Sequence, residues 1–213
     1  TYTVSESNPE LKHGAYKLSS NTHSNTKLEQ GEYISGKKEG EWITWYNQPG
    51  NLIKTQGKYL NDVKVGVWSY FKSNGDLIQK YDFDKNEIVE NPACNSDNKY
   101  LVKKAGEIID VKLDCPPTRI GGLENFRNKL SLEIFKKNPF ENGRRNVNIN
   151  ETLSFYINEE GNIEEIDYTG KNEKINDLII EFLNKTNNQW IPGVLNGQKV
   201  NAQIEIPIIL KIY

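Results

Sequence analysis

Two glycine–aromatic signals recur with one spacing in the first half of the chain, and this repeat restricts the possible folds more than any other feature. Gly31-Glu32-Tyr33 returns as Gly57-Lys58-Tyr59, and Gly40-Glu41-Trp42 returns as Gly66-Val67-Trp68, both after 26 residues. A fixed period of this length indicates stacked copies of one supersecondary unit.

Each repeat unit consists of short aromatic segments separated by glycine turns. This pattern predicts β-hairpins, because glycine allows the positive φ of tight turns and aromatic side chains pack between neighbouring hairpins. A Gly-x-Leu-Ile signal at Gly50 and Gly75 ends the two units, and a half-unit begins at Gly14. We therefore predict an all-β domain of stacked hairpins in residues 1–90, with the repeats at about 11–84.

The repeats resemble the MORN repeats of many bacterial proteins, including antitoxin-like ones, over residues 11–84. The resemblance implies an elongated binding or spacer surface. The aromatic side chains either form the core of the hairpin stack, which we favour, or line in part an exposed ligand face. They are Trp42, Trp45, Tyr46, Trp68, Tyr70 and Phe71.

Hydrophobic periodicity is lost after the repeats, and turn-forming residues predict a linker over 91–106. The only two cysteines, Cys94 and Cys115, lie in this segment and shortly after it. Two thiols cannot form a four-ligand metal site, so we expect either a disulfide in an oxidising compartment or two buried thiols. A disulfide would tie the linker to the start of the second domain.

Helical and strand periodicities alternate from residue 107 onward. Apolar residues at steps of three and four predict one helix over Leu123–Ile134 and another over Ile175–Leu183, with a hairpin around Gly161 between them. Every even residue from Val200 to Ile212 is apolar, which predicts a long final strand. We therefore expect an α+β domain over 107–213, with two helices on an antiparallel sheet.

Several short motifs accompany this order of elements. They are Pro117-x-x-Ile120-Gly121-Gly122 before the first helix, Trp190-Ile191-Pro192-Gly193 after the second, then Asn196-Gly197-Gln198-Lys199-Val200 and Pro207-Ile208. In this combination, residues 107–213 resemble the C-terminal domain of the TonB family in the form common in Bacteroidetes. The resemblance implies a periplasmic or outer-membrane-associated domain that binds a short extended segment of an outer-membrane transporter. Because MORN-like repeats stand where the family has a proline-rich spacer, we carry over peptide binding and not energy coupling.

The last strand is the predicted partner-binding element. Its odd residues face away from the helices, and Pro207 has no N–H for a sheet ladder, so we expect a strand that lies at a sheet edge or is bulged. An open edge can accept an extended peptide, and the TonB resemblance places its peptide site on the same strand. The predicted site residues are Gln203, Glu205, Pro207, Ile209 and Lys211. The alternative is that Glu205, Pro207 and Lys211 protect the edge from aggregation.

The charge balance argues against nucleic acid and anionic membranes as partners. The chain has 27 Lys and Arg against 29 Asp and Glu, which gives a net charge of −2, and neither half has a basic excess. No apolar run is long enough to span a membrane. The first residue is not methionine, so we expect a processed or trimmed product, and contact with a membrane only through a partner or a removed N-terminal anchor.

The residues that usually carry catalysis are sparse. His13 and His23 stand in weakly patterned polar sequence, and the carboxylate pairs Glu159-Glu160 and Glu164-Glu165 flank a turn, where solvated charges are expected. Nucleophile-elbow, P-loop and dinucleotide motifs are missing from the sequence. The basic cluster, Lys136-Lys137 with Arg144-Arg145, is at most a local partner contact. We predict a non-enzymatic protein without a cofactor or a metal.

These observations favour a cell-envelope protein-interaction module that binds an extended segment of an outer-membrane or periplasmic partner. The alternative is a cytoplasmic MORN-repeat protein of antitoxin or immunity type. A hydrolase that uses the carboxylates is a third hypothesis. A bridged pair of cysteines would favour the first hypothesis over the second.

Overall fold

The computed structural model describes residues 2–4, 11–24, 26–137, 147–186 and 189–212. The chain divides into two compact units, Thr1–Pro92 and Ala93–Tyr213. The first is all-β and the second is α+β, which confirms the predicted fold class.

The first unit is one eight-stranded antiparallel sheet, and each strand pairs with the next along the chain. This order is what consecutive hairpins produce, as the repeat predicted. The strands are β1 (Tyr2–Val4), β2 (Lys12–Ser19), β3 (Lys27–Ile34), β4 (Lys37–Trp45), β5 (Ile53–Leu60), β6 (Val63–Phe71), β7 (Leu77–Asp82) and β8 (Glu87–Glu90).

A tight turn at Asn61 and Asp62 joins β5 to β6, and both residues have positive φ, 50° and 68°. Positive φ at both central residues is the geometry of a type I′ hairpin turn. Asp62 also reaches the preceding hairpin: its Oδ1 accepts from Lys38 N at 2.8 Å, and its N donates to Lys38 O at 3.0 Å. One unit earlier, Gly36 N donates to Lys12 O at 2.9 Å. The 26-residue sequence repeat therefore corresponds to a repeated hydrogen bond, which ties a hairpin turn to the previous hairpin.

Trp42 and Trp68 occupy equivalent positions one unit apart and are 1% and 2% exposed, as predicted. Each indole lies over a glycine of the neighbouring strand. A Cβ placed on Gly31 would approach the Trp42 ring to 2.3 Å, and one on Gly57 would approach the Trp68 ring to 2.4 Å. The glycines of the two G-x-Y signals are thus required by close packing.

The aromatic side chains of successive hairpins form a continuous row, with ring centroids between 4.9 Å (Tyr59–Trp68) and 6.3 Å (Trp68–Phe83). Lysine ammonium groups lie over this row. Lys38 Nζ is 3.9 Å from the centroid of Trp42, and Lys64 Nζ is 4.0 Å from that of Trp68. Ring contacts and lysine stems together give this single sheet its core.

The interpretation of the aromatic residues as core is confirmed for Trp42, Trp68 and Tyr70, which are all buried. Trp45, Tyr46 and Phe71 are half-buried.

The second unit contains a six-stranded sheet with the strand order β10-β9-β16-β12-β13, in which β15 also pairs with β16, and a two-stranded ribbon of β11 and β14. Its strands are β9 (Lys99–Lys104), β10 (Glu107–Lys112), β11 (Thr118–Arg119), β12 (Val147–Ile157), β13 (Ile163–Tyr168), β14 (Trp190–Ile191), β15 (Gly193–Leu195) and β16 (Gln198–Ile212). The helices are α1 (Leu123–Lys137) and α2 (Glu173–Lys185).

Both helices lie on one face of the sheet and share its core. Phe126 and Leu130 of α1 pack with Ile179 of α2 and with Phe155 and Ile206 of β12 and β16. Trp190 is 6% exposed, and its ring centroid lies 5.0 Å from that of Phe126 and 4.9 Å from that of Phe155. The indole therefore joins helix to sheet.

Helix α2 begins after Asn172, whose Oδ1 accepts from Ile175 N at 3.2 Å. This side-chain bond satisfies one of the free donors of the first turn. Helix α1 ends at Lys137. The sequence predicts a stop at Asn138-Pro139, because proline cannot continue a helix, but these two residues lie outside the described part of the structure. Neither helix is long and apolar enough to cross a membrane.

The interval 91–106, for which we predicted a linker, holds a short 3-10 helix (Pro92–Asn95) and strand β9. Only Tyr100 and Val102 of β9 pack into a small cluster with Leu113 and Ala202. Two apolar residues in alternation are too few to distinguish a strand from a loop. The sequence pattern therefore did not predict β9, the first strand of this sheet.

Cys94 and Cys115 form a disulfide, so the two cysteines are bridged. Cys94 belongs to the 3-10 helix, and Cys115 pairs with Val194 of β15. The bond ties the start of the second unit to the strand that precedes β16.

Candidate functional site

Strand β16, which carries the predicted site, lies inside the sheet between β9 and β12. Its pairing with β12 is continuous from Ala202 to Ile212 and has no register shift at Pro207. The predicted bulge is therefore wrong, and the predicted edge position does not hold for the whole strand. A strand of 15 residues is long enough to have different neighbours along its length.

The side of β16 opposite β12 is only partly covered. On this side β9 pairs with Asn201 and Ala202, and β15 pairs only with the earlier residues Gln198–Val200. From Gln203 onward, the described strands leave this side of β16 unpaired. Part of an interior strand is thus an open sheet edge.

The backbone of β12 shows which residues of β16 present hydrogen-bonding groups to this edge. Thr152 O accepts from Thr169 N at 3.0 Å, and Thr152 N donates to Thr169 Oγ1 at 2.9 Å, so both backbone groups of Thr152 point away from β16. Pro207 is the register partner of Thr152, so its own N and O point away from β12. Backbone direction alternates along an antiparallel strand. The open edge is therefore formed by the backbone groups of Gln203, Glu205, Pro207, Ile209 and Lys211.

The side chains of these residues lie on the sheet face opposite the helices, because the even residues Ile204, Ile206 and Ile208 are buried in the core. Glu205 and Pro207 are exposed, Ile209 is 54% exposed, and Gln203 is half-buried. The side chain of Lys211 is outside the described part of the structure.

A groove of about 180 Å³ runs beside this edge at the start of α1. Leu123, Glu124 and Arg127 line it from α1, and Glu205, Ile206 and Pro207 line it from β16. Helix α1 thus borders the open edge.

Three of the residues that line the groove are charged. Glu124, Arg127 and Glu205 form no ion pair with any other described residue. Glu124 and Arg127 come from α1, whereas the side chain of Glu205 lies on the sheet face opposite the helices.

The two outermost strands of the sheet are less suited to strand addition. In β13, Glu165 has a φ of 49°, and the register with β12 shifts between Ser154 and Tyr156, so this edge is bulged. Strand β10 has six residues, three of which are the charged Glu107, Asp110 and Lys112. Bulges and charges are the usual protection of sheet edges.

The pair Glu164-Glu165 is engaged in structural contacts, whereas Glu159 and Glu160 are exposed. Glu164 accepts hydrogen bonds from Asn158 and Asn201, each at 2.9 Å, and these bonds lower its pKa below the ordinary value. Lys103 Nζ lies 2.5 Å from Glu165 Oε1 and 4.2 Å from the ring centroid of Tyr156. A general acid needs a raised pKa, so the shift at Glu164 has the wrong sign for that role.

The other candidate side chains are dispersed. His13 lies exposed in β2 and accepts from Ser35 N at 3.3 Å, and His23 is exposed. Within the described ranges, no three His, Cys, Asp or Glu side chains are grouped closely enough to hold a metal ion. In the basic cluster, Arg144-Arg145 falls outside those ranges.

Two features were not found from the sequence. Leu123, Glu124 and Arg127 border the edge only because α1 packs beside β16, and no motif signals this contact. The lysines over the aromatic row do have a signal, because Lys12, Lys38 and Lys64 precede the repeated glycines at the same 26-residue spacing. A repeat defined by glycines and aromatics alone leaves these lysines out.

No family model, curated protein or solved structure matches this chain.

Proposed function

We propose that the second unit binds an extended segment of a protein partner by strand addition to the open edge of β16, and that the chain is a non-enzymatic interaction module of the cell envelope. The observation that carries the proposal is the edge itself. Five alternate residues direct their backbone groups away from β12, beside a groove that has room for ligand side chains.

The TonB-like motifs of residues 107–213 support the same mode of binding. The resemblance implies a site for an extended segment on the last strand, and the edge argument leads independently to Gln203, Glu205, Pro207, Ile209 and Lys211. An outer-membrane or periplasmic protein is the class of partner that this resemblance implies.

The disulfide supports the envelope over the cytoplasmic alternative, because disulfides persist in oxidising compartments and are rare in the cytosol. Thiol trapping in intact cells tests the location. We expect Cys94 and Cys115 to resist alkylation until a reductant is added. Rapid alkylation without reductant would support the antitoxin- or immunity-type alternative instead.

The binding mode can be tested with nonapeptides selected from a display library on the full chain. The tightest peptide is resynthesised with one N-methyl group at each backbone position in turn. Strand addition uses alternate peptide N–H groups, so we expect binding to be lost at every second position and retained between them. Uniform losses, or a library without binders, would contradict the proposal.

A matched pair of variants then locates the site. Ile209→Pro removes an N–H that points out of the sheet, whereas Ile209→Val keeps it. Loss of one intermolecular hydrogen bond is worth roughly 1–1.5 kcal/mol, so we expect Ile209→Pro to weaken binding about tenfold. Ile209→Val should bind like the parent, and both variants should retain the parent's circular dichroism. Equal affinity for all three proteins would exclude this edge as the site.

A further inference from the structure

The second unit also buries a guanidinium without a counter-ion, on β11 rather than on β16. Arg119 is 4% exposed, and it forms no ion pair with any carboxylate that the structure describes. Burial lowers the pKa of Arg119 to about 10, so the group is still charged at neutral pH. An unpaired charge in a protein interior is costly, and buried charges are normally paired.

We propose that Arg119 is a binding site for a carboxylate group, and that the side chain of Gln189 covers this site until a carboxylate replaces it. A small free carboxylate and an acidic side chain of another protein present the same two oxygen atoms to the site. The proposal does not rest on strand addition to β16, because β11 and β14 form a ribbon of their own.

The guanidinium of Arg119 offers two parallel donors along one edge. Its Nη2 donates to Gln189 Oε1, whereas Nε, on the same edge, is buried and has no hydrogen-bond partner among the described residues. An arginine fork of this kind matches the two oxygens of a carboxylate, which satisfies both donors with charge-assisted bonds. The single oxygen of an amide satisfies only one donor. Gln189 thus occupies half of a carboxylate-binding fork.

Two aromatic rings hold the guanidinium in place. Cζ of Arg119 lies 5.1 Å from the ring centroid of Phe126 and 5.7 Å from a ring centroid of Trp190. Trp190 is also the register partner of Arg119 in the β11–β14 ribbon, and its Nε1 is a second buried donor that lacks a partner in the described structure. A donor fork that is fixed before the ligand arrives loses little freedom on binding.

A carboxylate can reach the fork from solvent at the position of Gln189. The side chain of Gln189 is exposed, and its backbone is fixed, because Ile120 N donates to Gln189 O at 3.0 Å. Rotation of this side chain alone therefore uncovers the guanidinium. The terminal amide that leaves has the size and the planar shape of a carboxylate group, so the ligand needs no additional space.

An acetate titration of the full chain tests the site. The readout is the indole N–H resonance of Trp190, because this ring lies against the guanidinium, and Trp190→Phe assigns the resonance. Potassium chloride is replaced stepwise by potassium acetate at constant ionic strength. We expect a saturable shift, because chloride lacks the two coplanar oxygens that match the fork. A resonance that does not move, or that moves linearly without saturation, would overturn the proposal.

Gln189→Glu and Gln189→Ala form a matched pair at an exposed position. The carboxylate introduced by Gln189→Glu can satisfy both donors of Arg119, so this variant should raise the unfolding midpoint of the second unit and no longer respond to acetate. Gln189→Ala removes the competing amide and should bind acetate severalfold more tightly than the parent. A Gln189→Glu protein with an unchanged midpoint, or with the acetate response of the parent, would contradict the assigned site.

Arg119→Lys shows whether the fork or the charge alone is required. Lysine keeps the positive charge but not the two parallel donors, so saturable acetate binding should be lost. Retained binding would refute the fork.

The source of the carboxylate follows from a comparison of acetate with the capped tripeptide Gly-Asp-Gly. Equal affinities would identify small free carboxylates as the ligand, and tighter binding of the peptide would identify an acidic residue of a protein. Binding of neither would overturn the site and leave strand addition to β16 untouched.

Discussion

Single side chains join the layers of the second unit, and Trp190 is the largest of them. It packs against Phe126 from α1 and Phe155 from β12, and its Nε1 is buried without a hydrogen-bond partner among the described residues. The indole therefore stabilises the unit by packing and by its contact with Arg119, whose Cζ lies 5.7 Å from a ring centroid of the indole.

We predict that Trp190→Ala destabilises the second unit by about 3–5 kcal/mol, the usual cost of removing a buried aromatic side chain. Trp190→Phe should cost less, because it keeps a ring in the core and removes no hydrogen bond. The measurement is chemical denaturation followed by circular dichroism. A Trp190→Ala midpoint equal to that of the parent would show that the residue is a surface contact.

Glu164 provides a prediction about pH. Its hydrogen bonds to Asn158 and Asn201 lower the folded-state pKa below the ordinary 4.5. A lowered pKa contributes stability that is fully present above the unfolded-state pKa and is lost as the pH falls through the folded-state value. The difference in unfolding free energy between the parent and Glu164→Gln should therefore shrink as the pH falls from about 5 to 3. The exposed Glu159→Gln is the control, and a pH-independent difference would contradict this assignment.

At the scale of elements, two glycines of the β5–β6 hairpin serve different purposes. Gly57 lies under the indole of Trp68, and its φ is not positive. Gly66 has a φ of 60°, and a Cβ added to it would meet nothing within 4 Å. Position 57 requires glycine because the Trp68 indole leaves no room for a side chain. Position 66 requires glycine because its φ is positive.

We predict that Gly57→Ala destabilises the first unit more than Gly66→Ala does. The methyl group at position 57 must displace a buried indole, which costs about 1–3 kcal/mol for overpacking, plus the loss of the ring contacts with Tyr59. The methyl group at position 66 meets no atom and costs about 1–2 kcal/mol for left-handed backbone. Thermal unfolding of the two variants compares these costs, and the reverse order would contradict the packing argument.

The elements that the sequence predicted are those with long periodic patterns. The repeat, both helices and the even-residue alternation of β16 each extend over enough residues to specify an element. Strand β9 was missed because only Tyr100 and Val102 carry its pattern. The groove was missed because it depends on the packing of α1 beside β16, and hydrophobic periodicity gives a helix its buried face but not its neighbour.

The position of β16 in the sheet is another feature that the sequence pattern did not predict. Pro207 predicted an edge strand or a bulge, yet the strand pairs with β12 along its whole second half. The proline is accommodated because its nitrogen faces the unpaired side. Which side a residue faces depends on register, and register is fixed by tertiary pairing.

At the scale of the whole molecule, the disulfide belongs to the second unit alone, since Cys94 and Cys115 both follow Pro92. We predict that Cys94→Ser with Cys115→Ser destabilises the second unit by about 3 kcal/mol, because the bond closes a loop of 21 residues in the unfolded chain. The first unit should unfold at an unchanged midpoint. Hydrogen exchange measured by mass spectrometry resolves the two units, and equal destabilisation of both would contradict their independence.

Pro207 affects how readily two copies of this protein pair through their open sheet edges. A foreign strand that pairs with the open edge forgoes one hydrogen bond, because Pro207 has no N–H to donate. Two copies of the chain pairing edge to edge would forgo two, since each copy contributes its own proline. At roughly 1 kcal/mol per bond, this difference disfavours self-pairing by about fivefold relative to capture of another chain. The proline at position 207 therefore permits pairing with a segment of another protein and disfavours pairing between two copies of this chain.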